Sequence, residues 1–222
     1  MVCYCCTKGW VNRQKAFPRN LERARKSKFV RVALGLHPQL VADRAPEVSI
    51  FEELLPDIKY IGEIGLDAYP RFYRSFDKQN EVFESVLRAC SRVGNKVLSV
   101  HSAHAAKHVL DMIETCLHPD RGRVVLHRFT GSPGEARRAV GMGCYFSVNE
   151  RMFNSPKFEA LLQVILSDRI LTETDGPFVV RNGSPVAPGE VTKVLARLAK
   201  HERVEEHEIE RRVQANFAYL VK

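Results

Sequence analysis

The chain has 222 residues, 45% of them hydrophobic and 27% charged, which is enough for one sizeable globular core. Its formal net charge of +8 and isoelectric point near 9.3 favour polyanionic partners by attraction to phosphates. No apolar run approaches the roughly 18 residues of a membrane span and no signal-peptide core is present, so a membrane role is excluded and a cytoplasmic one expected.

The first predicted strand covers residues 2–6 and holds Cys3, Cys5 and Cys6. The stretch 8–31 carries nine Lys or Arg against Glu22 alone, either as a solvated face or as a track for a nucleic-acid backbone. Further strands are predicted at 30–36, 60–66, 96–101, 123–128, 143–148 and 169–173, where β-branched and apolar residues run together. Between them, apolar residues recur at helical spacing over 19–28, 49–55, 76–93, 105–116, 133–142 and 156–166. The last two helices begin with Ser-Pro, an N-cap followed by Pro in the first turn. Two more helices, 188–201 and 205–221, follow the seventh strand. Strand–helix alternation of this regularity predicts a parallel α/β fold in one domain. Cys90, Cys116 and Cys144 complete a set of six cysteines with no zinc-finger spacing, as expected of free thiols in a reducing compartment.

Four of the apolar runs stop at a residue that can bind a metal: Glu63, His101, His127, and Glu173 followed by Asp175. In parallel α/β barrels, the chemistry sits at the C-terminal strand ends and draws residues from several strands. Two His and two carboxylates delivered in this way point to a metal-dependent hydrolase. Singly, each His reads as an ordinary hydrogen-bonded core residue; together, at equivalent strand ends, they favour ligation. His104 and His108 share a helical i, i+4 spacing that can hold zinc, although a solvated or capping role is the simpler reading. Cys3 and Cys5 would face one way on a strand, more simply as small packed residues than as ligands. Seven strands fall one short of the eight that close the standard barrel, and such barrels typically need about 250 residues. Either the sheet stays open, or a partner covers the gap, or a first strand lies upstream of Met1.

Five motifs occur in one order: Gly35-Leu36-His37-Pro38, Gly62-Glu63-Ile64-Gly65-Leu66-Asp67, Val100-His101-Ser102, Leu126-His127-Arg128-Phe129-Thr130-Gly131 and Glu173-Thr174-Asp175-Gly176-Pro177-Phe178. Together they resemble the TatD family of metal-dependent deoxyribonucleases, within the amidohydrolase-like barrels, over about residues 30–220. The resemblance implies a TIM-barrel-like fold and one or two divalent ions (Mg, Mn or Zn). Glu63 would bridge the ions, His101 and His127 would hold one of them, and Asp175 would bind the other and orient or deprotonate the attacking water. His37 would sit at the rim and contact substrate, which would be the end of a DNA strand.

The family pattern also carries a His-x-His dyad on its first strand, and no His precedes His37 here. The expectation is therefore a barrel lacking its first strand–helix unit. Two smaller departures are Ala103, where the family often has Arg, and Arg128, where it often has Cys; Arg128 could restore a phosphate contact. The stretches 30–39 and 67–72 look most like the QatD branch, which belongs to a bacterial anti-phage gene cluster and implies protein partners. The rival expectation is a catalytically degenerate TatD-like subunit of such a defence complex. Amide or deaminase chemistry on a small molecule is a further rival, disfavoured by the net charge and by the TatD-like motifs.

Overall fold

The computed structural model describes residues 2–4, 16–176, 178–187 and 189–222. Cys3 and Cys5, read as small packed residues rather than ligands, and positions 8–15 of the basic stretch 8–31 lie outside the described residues and side chains. The chain divides into two compact units, residues 1–124 and 125–222.

The first unit is built on parallel strands. Strand β1 (Val2–Tyr4) pairs with β2 (Val30–Val32). The chain continues from β2 to Leu34, which bridges Ile61 of β3 (Tyr60–Asp67), and β3 pairs with β4 (Lys96–Ala103). The backbone bonds Leu34 N–H to Tyr60 O and Gly62 N–H to Leu34 O, both 2.9 Å, make that bridge. Helix α1 (Ala16–Arg25) joins β1 to β2, while α2 (Val41–Arg44) and α3 (Val48–Leu54) precede β3. Helix α4 (Phe76–Val93) packs Phe83, Val86 and Leu87 toward β3, whose Ile61, Ile64 and Leu66 are almost fully buried. Helix α5 (Ala106–Cys116) covers β4. Burying each such side chain contributes roughly 1.5–3 kcal/mol. Near-continuous apolar runs are what a parallel strand covered on both faces requires.

The 60–66 strand extends to Asp67, and Glu63 lies within it rather than at its end. Ile61 opposes Leu98 but Ile64 opposes Val100, so β3 carries one extra residue across Gly62-Glu63. Such a bulge re-aims side chains locally. Beyond it the two strands come unusually close: a Cβ built on Gly65, whose φ is +124°, would stand 2.1 Å from the carbonyl oxygen of His101. Gly65→Ala is expected to cost on the order of 3 kcal/mol, through forbidden backbone and steric overlap together. Chemical denaturation of the variant checks this, and an unchanged midpoint would mean that β3 and β4 can separate cheaply.

In the second unit β5 (Gly122–His127), which straddles the division, pairs through Val125–His127 with β6 (Tyr145–Val148), and β6 pairs with β7 (Ile170–Thr172), all in parallel. Helix α6 (Pro133–Gly141) follows β5 and α7 (Pro156–Leu162) follows β6. A short antiparallel hairpin, β8 (Val180–Arg181) and β9 (Ser184–Pro185), comes next and was not expected from the sequence. Helices α8 (Thr192–Glu202) and α9 (Glu206–Leu220) then pack on each other, and α9 packs on β7. Asn216 of α9 is buried and donates to the Ser167 and Ile170 carbonyls at 2.9 and 2.8 Å, fixing the entry to β7.

All seven expected strands form, six of them with ends shifted by one to four residues; Cys5 and Cys6, at the end of the first, are not described. The Ser-Pro signals divide. Ser132 makes a full capping box with Glu135, whereas the Ser155 side chain makes no capping bond to α7. The α8 helix starts four residues later than the periodicity predicts. Among the described residues no helix is long and apolar enough to cross a membrane.

Candidate metal centres

In the first unit, Glu63, Asp67, His101 and His37 come together. The bulge at Gly62-Glu63 and the close approach at Gly65 bring the buried Glu63 carboxylate against the His101 ring, with Nδ1 2.8 Å from Glu63 Oε1. The other nitrogen, Nε2, lies 3.1 Å from Asp67 Oδ2. His37 brings Nε2 to 3.6 Å from Glu63 Oε1, and its ring meets His101 edge-on with centroids 4.9 Å apart. Ligand atoms of His37, Glu63 and His101 all lie within 4.8 Å of one another.

The polar surroundings fix these groups. Gln39 donates to Asp67 Oδ2 at 2.7 Å, and the Tyr69 amide donates to Asp67 Oδ1 at 3.0 Å. Gln79, fully buried on α4, accepts from the Asp67 amide at 2.7 Å and donates to the Asp67 and Phe72 carbonyls. Burial alone would raise the Asp67 carboxyl; hydrogen bonds from His101, Gln39 and the Tyr69 amide outweigh it and hold the group below its usual range. Burial alone would lower the His101 ring; its bonds to Asp67 and Glu63 win and raise it above 6.5.

This geometry suits a metal through two of its three donor groups. With Nε2 held by Asp67, His101 can offer Nδ1 as a lone pair beside Glu63 Oε1, the carboxylate–histidine arrangement that orients metal ligands. His37 Nδ1 accepts from the Gln39 amide at 3.2 Å. A neutral His37 therefore carries its proton on Nε2, and presents a donor rather than a lone pair. An imidazole nitrogen beside a carboxylate oxygen is a donor set that a divalent transition-metal ion can use.

The raised His101 sets a pH dependence for the metal-free protein. Its contribution to stability is fully present below 6.5 and is lost as pH rises through the higher folded-state value. The melting temperature of chelator-treated protein is expected to fall over that window, and to fall less in His101→Gln. A flat profile in the unmodified protein would contradict the ion-pair account.

In the second unit, His127 ends β5 and sets Nδ1 2.7 Å from Glu173 Oε2 and Nε2 3.5 Å from Asp175 Oδ1. Glu173 is itself held by Asn149 Nδ2 at 2.8 Å and by the Ser147 hydroxyl. His127 is thus oriented by one carboxylate and faces another, as His101 is in the first unit. Arg128 Nη1 donates to Asp175 Oδ2 at 3.2 Å, with the guanidinium half exposed. Both backbones are left-handed, φ +44° at Arg128 and +51° at Asp175. Asp tolerates that region through local hydrogen bonding, but Arg pays for it, and such outliers gather at functional sites.

The structure brings Glu63, His101 and His37 together in one unit, and His127, Arg128 and Asp175 together in the other. Asp67, Gln39, Gln79, Ser147 and Asn149 were missed from the sequence as site residues, and Glu173, read as a strand end that can bind a metal, proves to be the partner of His127. The signals were present: Asp67 closes the Gly-Glu-Ile-Gly-Leu-Asp motif, and Glu173 stands two residues before Asp175. His104 and His108 are not a helical pair, because His104 lies in the turn before α5 with φ +53°. It meets Tyr69 edge-on at 4.2 Å, and His108 meets Phe76 at 5.7 Å. Cys90, Cys116 and Cys144 are free and buried, and burial pushes the Cys90 and Cys144 thiols up to about 12, which disfavours their reactive thiolate forms.

Parallel strands with His and carboxylate side chains gathered near their C-terminal ends place the chain among the parallel α/β folds whose strand ends carry the functional site. The family profile of the TatD related DNases matches residues 1–222, and the chain belongs to that family. It is 28% identical over 166 residues to a mouse protein named putative deoxyribonuclease TATDN3, covering 67% of this chain and 54% of the relative. It is 31% identical over 128 residues to the 3'-5' ssDNA/RNA exonuclease TatD of Cronobacter turicensis, covering 56% of this chain and 48% of that one. The chain thus spans about half the length of these curated relatives. The crystal structure of the TatD homologue YjjV from Escherichia coli shares the fold, with a TM-score of 0.77 and 24% identity over 92% of this chain and 81% of that one.

Proposed function

We propose that this chain is a metal-dependent hydrolase that cleaves phosphodiester bonds of DNA, working from strand ends. The observation that carries the reading is the repeated pattern in the two units: a histidine near a strand's C-terminal end, one nitrogen tied to a carboxylate and the other turned to a second carboxylate. Family membership supports it, and so do the +8 net charge and the exonuclease named among the relatives. The reading treats residues 1–222 as one catalytic domain in a reducing cytosol, which suits its free thiols.

Glu63 and His101 would hold a divalent ion in the first unit, and His127 and Asp175 would do so in the second. Such ions, when bound, supply charge stabilisation and a more acidic water. Asp175 would orient the attacking water and take its proton. His37 Nε2–H and the free edge of the Arg128 guanidinium would contact phosphate oxygens. Asp67 and Glu173 would keep the two ligand rings in the binding tautomer.

The test is cleavage of end-labelled single-stranded DNA by purified protein with Mg²⁺, Mn²⁺ or Zn²⁺, run beside Asp175→Asn. Metal-dependent cleavage that vanishes in the variant upholds the reading. A folded protein that cleaves nothing with any metal sinks it. The Arg128 contact favours a second reading, because an arginine on Asp175 competes for the carboxylate the chemistry needs. On that reading the chain is a non-catalytic subunit of a multiprotein anti-phage assembly of the QatD kind. Arg128→Ala discriminates: gained cleavage supports a site restrained by Arg128.

A further inference from the structure

The segment that leaves β3 at Asp67 is rich in aromatic residues and carries two arginines, and the site residues leave its side chains unused. It reads Ala68-Tyr69-Pro70-Arg71-Phe72-Tyr73-Arg74-Ser75-Phe76. Tyr69 is 44% and Tyr73 61% exposed, so both rings offer a face to solvent. They are held rigidly. Asp67 accepts from the Tyr69 amide, Gln79 and Ser75 both donate to the Phe72 carbonyl, and Phe72 N–H bonds Tyr69 O at 2.8 Å. Tyr69 is braced edge-on by His104, and Tyr73 lies almost parallel to Phe76 at 5.4 Å with an interplanar angle of 10°. Arg71 lies over the Phe72 ring at 4.6 Å, and neither Arg71 nor Arg74 forms an ion pair among the described residues.

We propose that Tyr69 and Tyr73, with Arg71 and Arg74, form a platform on which bases of a single strand stack as it leads to the Glu63–His101 site. The proposal rests on the nuclease reading and deepens it by assigning the side chains that would engage the bases of the strand. Rigid rings offered beside unpaired guanidinium groups are the combination that binds single strands without sequence preference. A duplex keeps its bases stacked on one another and could not use the rings. The charge favours a polyanion over an apolar protein partner. The loop also starts at Asp67, the carboxylate that orients His101, and Tyr69 is only two residues further along the chain.

The experiment measures the affinity of the full chain, without added metal, for a short oligothymidylate and for an abasic strand of equal length. The unmodified protein should bind the oligothymidylate at least about five-fold more tightly, the lower end of one stacked base. Tyr69→Ala/Tyr73→Ala should lose that preference and keep its affinity for the abasic strand, while Tyr69→Phe/Tyr73→Phe should keep both. Arg71→Ala and Arg74→Ala should each flatten the salt dependence by about 0.7 in log–log slope. Equal binding of both strands by the unmodified protein, or an undiminished preference in the double alanine variant, overturns the platform. Cleavage with Mn²⁺ is followed in parallel: a failed platform with cleavage intact leaves the nuclease reading standing. Absent cleavage with the base preference present strikes the nuclease reading and keeps the platform.

Discussion

Glu63→Gln is expected to abolish both the metal-dependent rise in melting temperature and the cleavage of DNA. The carboxylate is buried, 2.8 Å from His101 and 3.6 Å from His37, so it is the anionic centre of the first unit's cluster. A ligand at 100 times its dissociation constant stabilises the folded state by about 2.7 kcal/mol. That shift, several degrees for a chain of this size, should be present in the unmodified protein and absent in the variant. Glutamine matches the shape but carries no charge, so lost metal response cannot be ascribed to a cavity. Thermal melts with and without Mn²⁺, paired with the cleavage assay, measure both effects. A variant that keeps both would remove Glu63 from the metal site.

Asp175→Asn should separate binding from turnover. Asparagine accepts the left-handed backbone that Asp175 adopts, and so preserves the local fold. It loses the basicity needed to take a proton from water and the charge that faces His127 and Arg128. Turnover is expected to fall about 10²- to 10⁴-fold, the usual weight of a positioned general base. Affinities for metal and for DNA should change by less than about ten-fold. Single-turnover rates and binding isotherms on the same preparation give the comparison. Losses of equal size in rate and affinity would assign Asp175 a structural role.

Much of this was legible along the chain, and the reason is local. Strand–helix alternation, the full span of the Phe76–Val93 helix and the ends of the apolar runs at His101 and His127 are one-dimensional patterns set by side-chain period and burial. The five motifs carried the family in the same way, since their residues are close in sequence. Departures arose where contacts between distant residues decide. The 180–185 hairpin is too short for a periodic signal, and only the fold shows that His104, just before the expected 105–116 helix, sits in a turn braced by Tyr69.

The sequence by itself determined the parallel α/β class, the family, and the candidates Glu63, His101, His127 and Asp175. Only the tertiary structure decided which of them meet: Glu63 with His101 and His37 in one unit, Asp175 with His127 and Arg128 in the other. It alone revealed Asp67 and Glu173 as the carboxylates that hold the two histidine rings, and Gln79 as the buried amide that fixes Asp67. The physical reason is that a hydrogen bond depends on ångström-scale separation across neighbouring strands. That separation is set here by a one-residue bulge at Gly62-Glu63 and by a glycine that lets two backbones nearly touch.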